Sequence, residues 1–224
     1  MADTMGVQRL STCVIGVMLA SVFMSAQAPN GGGPGPVIGI VEIPAMSSID
    51  PSSGAFATAL TLYTRPDSGS KVATVISWPQ AVDEAEYGYE EKGALVYGRE
   101  RGYFLIRTAR GVAWLSPDNA GPFHPIETLM TRSLTYLTDA WDGFVHASPR
   151  SDARTRVSQR RPYGDEDVRV KGFRTLDSKL WIDIEVMSHS LCESDKPPTV
   201  KARGWITAHD ESGAPTVWFA SRGC

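Results

Sequence analysis

The chain has 224 residues, 42% of them hydrophobic, with 22 Lys and Arg against 25 Asp and Glu and a net charge of −3. That is enough apolar material for one larger domain or two small ones. The charge balance excludes the basic footprint of a nucleic-acid binder.

Residues 1–28 read as a secretory signal. Arg9 precedes an uncharged run, Leu10 to Met24, which ends in the small residues Ser25, Ala26 and Ala28. The run has 15 residues, short of the roughly 20 a membrane-spanning helix needs. The expectation is a periplasmic or secreted protein with no stable membrane span after processing. Of three cysteines, Cys13 falls in this segment, and Cys192 and Cys224 remain. An even count in an exported chain reads as one disulfide.

Residues 29–58 form a leader. NGGGPGP at 30–36 suits neither helix nor strand, and β-branched VIGIVEI at 37–43 reads as a strand. From 59 the punctuation is β throughout. LTLY at 60–63 alternates and stops at the turn RPDSG, and KVATVI at 71–76 is a second short strand. DEAEYGYEEKG at 83–93 reads as a long acidic loop. Ala94–Tyr97 and Tyr103–Arg107 pair around GRERG, and Val112–Leu115 follows.

After a connector at 125–142, with one or two helical turns in HPIETLMTR and a strand-like LTYLT, the order recurs. FVHASP at 144–149 matches the strand ending at Pro66, Val168–Val170 matches Ala94–Tyr97, and LWIDIEVM at 180–187 matches YFLIR. Trp205 matches Trp114, and Trp181 is set against Phe104. Within LWIDIEVM, Leu180, Ile182, Ile184 and Val186 share one face. Asp183 and Glu185 lie on the other, which reads as the solvated face of an outer strand.

This order resembles the bacterial SH3 (Src homology 3) domain family. The residues that carry it are LYTRPDSGSKVATVI, ALVYGRERGYFLIRT and GVAWLS in the first copy, and FVHASPRSDARTRV, VRVKG, KLWIDIEV and RGWIT in the second. The first copy has Gly-Val-Ala-Trp where the pattern has Gly-Trp, and the second adds an insertion with Cys192 and a C-terminal tail, TVWFASRGC, that reads as one more strand. The resemblance implies an all-β protein of two tandem small SH3-like barrels, 59–124 and 143–224, after the signal and the Gly/Pro-rich leader. Trp114 and Trp205 are expected to close the two barrels as buried core residues. In this family such barrels are commonly extracytoplasmic binding modules, often for cell-wall components.

No residue pattern points to catalysis, a cofactor or a metal. His189 and Cys192 share an insertion loop, and His124, His146, His189 and His209 show no metal-ligand spacing. AHDES at 208–212 reads as a turn. The expected function is a non-catalytic binding or scaffolding module for a cell-envelope polymer, peptide or protein. The alternative is a small secreted cell-wall or peptide hydrolase. Candidate ligand contacts are the aromatics Tyr87, Tyr89 and Trp181, and the arginine-rich segment with Arg150, Arg154, Arg156, Arg160 and Arg161. That segment invites an anionic partner or the acidic stretch of the other copy.

Overall fold

A computed structural model describes residues 35–44, 59–77, 82–157, 166–192 and 197–223. The signal segment, the run NGGGP, Arg160, Arg161 and Cys224 lie outside them.

The chain builds two antiparallel sheets, so all-β is the correct class. The first contains β1 (Gly39–Val41), β2 (Ala59–Tyr63), β3 (Val72–Ser77), β4 (Glu84–Gly88), β5 (Glu91–Glu100), β6 (Tyr103–Thr108), β7 (Gly111–Leu115) and β8 (Phe123–Pro125). Its spatial order is β3-β2-β7-β6-β5-β1-β8, with β4 added beside β5. After the helix α1 (Ile126–Arg132) come β9 (Thr135–Leu137), β10 (Phe144–His146), β11 (Arg154–Arg156), β12 (Glu166–Leu176), β13 (Lys179–Met187), β14 (Val200–Thr207) and β15 (Val217–Phe219). The second sheet runs β11-β10-β14-β13-β12-β9-β15.

The two orders are the same path. Each unit has a strand before it, a hairpin, a three-strand meander and a strand after it, joined in the same sequence of pairings. The match reaches beyond the residues that suggested it. β1, placed in the leader, is an interior strand of the first sheet, and β9, placed in the connector, has the same position in the second. Among the described residues the end strands of neither sheet pair with each other, so neither sheet closes as a barrel through its ladder.

Register fixes the equivalences. Trp114 pairs with Leu105 and Tyr63, and Trp205 pairs with Asp183 and His146. Each first meander strand carries a bulge followed by glycine, Tyr97-Gly98 and Lys171-Gly172. Gly98 pairs with Leu105 and Gly172 with Asp183, so Phe104 corresponds to Ile182 and not to Trp181. The slip arises because the β12–β13 hairpin is longer. Its turn residues Asp177 and Ser178 take positive φ, as do Arg101 and Gly102 between β5 and β6, the backbone that two-residue hairpins require.

The acidic stretch at 83–93 is not a loop. Its residues form β4, which pairs with the start of β5 around a turn at Tyr89-Glu90. Trp114 and Trp205 do not close a core either. Both are only half-buried, while their neighbours Ala113, Leu115, Gly204 and Ile206 point inward. Among the described residues the buried tryptophans are Trp141, Trp181 and Trp218.

The cores explain the sheets. Val41, Leu62, Val96, Phe104, Ile106 and Leu115 form the core of the first unit. The larger core holds Ile182, Ile184, Val217, Trp218 and Phe219 of the second unit, and it also takes in Ile40, Leu95 and Tyr97 from the back of the first sheet. β1 and β5 are thus a wall shared by two cores. α1 lies beside that wall and buries Ile126, Leu129 and Met130.

Candidate functional site

A cleft of about 1110 Å³ lies among the described residues, lined by one end of the second unit, by the N-terminal stretch that leads into β1 and by the start of α1. Its lining comes from separate segments. The N-terminal stretch Gly35–Ile38 forms one side, with the first turn of α1 beside it. Trp141, Phe144 and His146 come from the turn before β10 and from β10 itself. Leu180 and Trp181 come from β13, and the loop His209–Gly213 forms the remaining rim.

Local chemistry holds these groups in place. Trp141 Nε1 donates to the Phe144 carbonyl at 2.9 Å, which tethers the turn to β10. His146 Nδ1 lies 2.7 Å from the Ser151 carbonyl oxygen. A carbonyl only accepts, so the proton sits on Nδ1. The His146 ring meets the Trp181 ring edge-on at 5.4 Å, a favoured aromatic geometry. Trp181 itself is 7% exposed. It belongs to the cleft wall but is no open stacking platform.

The 209–213 loop is built around Asp210. Its Oδ1 accepts from the amides of Ser212 and Ala214, both at 2.8 Å, and from the Ser212 hydroxyl at 2.7 Å. Burial pushes the Asp210 carboxyl up, but these bonds outweigh it and hold it below the usual carboxylate range. The turn expected at AHDES is therefore present, organised by its aspartate. His209 beside it is depressed to about 4 by burial, partly offset by Asp210, so it is neutral near pH 7.

The expected contact residues divide. Trp181 lines the cleft, and so does Phe144, which the sequence did not single out. Arg154 lies 4.3 Å over the Phe144 ring and 3.8 Å from Asp142, Arg156 lies 5.7 Å from that ring, and Arg150 pairs with Asp177. The described arginines are thus engaged within their own unit. They do not meet the acidic stretch of the first unit, whose Glu84 pairs with Lys92 and whose Glu86 pairs with Arg222 of the C-terminal tail.

Tyr87 is half-buried and stacks on His124 at 4.5 Å, and burial with the nearby Glu42 pushes its phenol up. Tyr89 is 70% exposed, with the Arg222 guanidinium 5.0 Å from its ring. Neither tyrosine lines the cleft. Glu185, expected on a solvated face, is buried at the centre of its sheet between Arg169 and Arg203, at 3.1 and 3.2 Å. Asp183 is raised by burial and by the neighbouring Glu185. Both departures follow from β13 being an interior strand. Near Cys192, the Leu191 amide donates to Asp167 at 2.5 Å and the Cys192 amide to Ser190 at 3.2 Å, which ties the insertion to β12.

The sequence reasoning missed Trp141, Glu127 and Asp210 as cleft residues. The one available signal was the aspartate followed by Ser, Gly and Pro after a strand, which marks an ordered loop rather than a plain turn. The chain matches no family model, no curated protein and no solved structure.

Proposed function

We propose that the protein is an extracytoplasmic, non-catalytic binding module whose ligand lies in the cleft of the second unit. The cleft itself carries the reading: about 1110 Å³, lined by both apolar and polar side chains, as binding sites are. Several of its polar groups are already committed to structure. His209 is half-buried and neutral, the His146 Nδ1 proton is held by a backbone carbonyl, and the Ser212 hydroxyl donates to Asp210, whose oxygen two loop amides already hold. Nucleophilic catalysis needs a nucleophile and a base within hydrogen-bond reach, and among the described residues the hydrogen bonds of the cleft include no hydroxyl-to-imidazole pair.

In this reading each unit is an elaborated SH3-like barrel, residues 1–28 direct export, and Cys192 joins Cys224 to pin the tail to the insertion. The ligand belongs to the cell envelope, as a polymer or a protein. The test is retention of the purified protein on envelope fractions, with purified peptidoglycan as one arm. Lys179→Trp, which adds bulk to the cleft from an exposed position, should abolish retention without changing thermal unfolding. Equal retention of the two proteins would sink the assignment of the cleft.

A further inference from the structure

We infer that the cleft takes an extended peptide segment in which Lys or Arg side chains alternate with apolar ones; this rests on reading the cleft as the ligand site. The lining carries the apolar side chains Val37, Ile126, Trp141, Leu180, Trp181 and Ile206; Leu180 is the most open of them, so the apolar part of a ligand meets a small aliphatic patch. The rim is acidic. Glu127, Asp142, Asp210 and Glu211 face it against one ammonium, Lys179.

Their placement sharpens the match. Asp142 is offset by Arg154 at 3.8 Å. The other three flank the N-terminal stretch Gly35–Ile38. The Ile126 amide beside Glu127 donates to Ile38 at one end, and Gly213 of the Asp210 loop packs against Gly35 at the other. A ligand running along that stretch meets carboxylates at both ends and apolar side chains between them. A neutral glycan supplies no cation for these ends, and an amino sugar supplies no bulky apolar group for the patch.

The experiment uses fluorescence anisotropy of the purified protein with three labelled hexapeptides, Lys-Leu, Gln-Leu and Glu-Leu, each dipeptide repeated three times. The lysine peptide should bind at least about tenfold more tightly than the glutamine one, the preference shrinking as salt rises past the screening range. The double variant Glu127→Gln and Glu211→Gln should weaken it by about fivefold, while exposed Glu100→Gln in the other unit leaves it unchanged. Lys179→Trp should block it. Equal binding of the glutamine peptide, or a charge preference that survives the double variant, overturns the inference. If Lys179→Trp blocks envelope retention yet none of the peptides competes, the occupant is an uncharged polymer; the inference fails and the cleft remains the site. If retention and peptide binding both ignore Lys179→Trp, the site assignment falls as well.

Discussion

β5 and β12 hold the same place in their sheets, each the first strand of a meander with a bulge before a glycine, yet they are buried differently. In β5 the run Gly93–Tyr97 is buried on both faces: Ala94 and Val96 face the first core, and Leu95 and Tyr97 face the second. Among the residues of β12 whose burial is described, only Val168 is buried, and Arg169, Lys171 and Arg174 are exposed. Topology set the pairing, and the neighbour set the burial. The second unit covers the back of the first, and among the described residues nothing covers the corresponding face of β12. The contiguous apolar run GALVY and the alternating VRVKGFR are the sequence record of that asymmetry.

The strongest way to break this comparison is to write the second unit's residue into the first. Val96 and Val170 hold equivalent registers opposite Ile106 and Ile184, so Leu95 corresponds to Arg169. Leu95 is 3% exposed. Leu95→Lys removes a buried side chain and buries an unpaired charge, an expected loss of at least about 4 kcal/mol. Urea unfolding should show one transition moving to lower midpoint, because the wall belongs to both cores. Two separated transitions, with only the first unit affected, would show the cores to be independent.

Four residues past the equivalent tryptophans the units differ again, with exposed Asp118 in the first and His209 in the second. The His209 pKa is depressed to about 4 from an ordinary value near 6.5. Its folded state resists protonation, so the associated stability is full above about pH 6.5 and is lost as pH falls toward 4. The loss should be about 2–3 kcal/mol. Denaturation midpoints between pH 7.5 and 4 should fall in wild type and flatten in His209→Gln. An unchanged slope in the variant would assign the pH dependence elsewhere.

How much of this was legible follows from which face a residue takes. Strict alternation in LWIDIEVM gave the strand and its two faces correctly, but not that both are covered. For Trp114 and Trp205 residue size suggested burial, whereas the register puts their small or aliphatic neighbours inward. β4 was hidden because charge dominates the composition of 83–93, and only Ala85 turns into the core. The repeat was readable from punctuation within the hairpin and meander. Of its outer strands, β1, β9 and β15 were legible as strands and β8 was not, but their membership of the repeat was hidden, since each is three residues long and gains its place from long-range pairing. The cleft could not be read at all, because its walls converge from segments more than 150 residues apart.

The two glycines near the tryptophans test the equivalence more finely. Gly204 and Ala113 share a register position, opposite Ile184 and Ile106. Gly111 instead sits at the tight β6–β7 turn with φ of 117°. A Cβ on Gly204 would lie 2.6 Å from the His146 carbonyl oxygen and 3.1 Å from Val145 Cβ, because β10 crosses close there. Gly204→Ala should cost about 2–3 kcal/mol. The mirror change Ala113→Gly only loosens the backbone and removes a buried methyl, about 1–1.5 kcal/mol. Equal costs, measured by chemical denaturation, would mean that β10 and β2 approach their partners alike.

The smallest effect concerns the one described ion pair between the tail and the first unit. Arg222 Nε lies 3.0 Å from Glu86 Oε1, which also accepts from the Glu90 amide at 2.9 Å. Burial pushes Glu86 up, but the Glu90 amide and Arg222 outweigh it and hold its carboxyl below the usual range. Its folded pKa is depressed, so this contribution is present above the ordinary carboxylate range and is lost as pH falls through the folded value. Arg222 is exposed, so side-chain entropy and salt take back much of the Coulomb gain. Arg222→Ser should therefore lower the denaturation midpoint at pH 7 by less than any change above. The difference from wild type should shrink in high salt and again at pH 3. In a double-mutant cycle, Glu86→Gln should absorb most of the Arg222→Ser effect. If the two changes add, the tail is held by β15 and its surroundings alone, and the contact between units is the shared wall of β1 and β5.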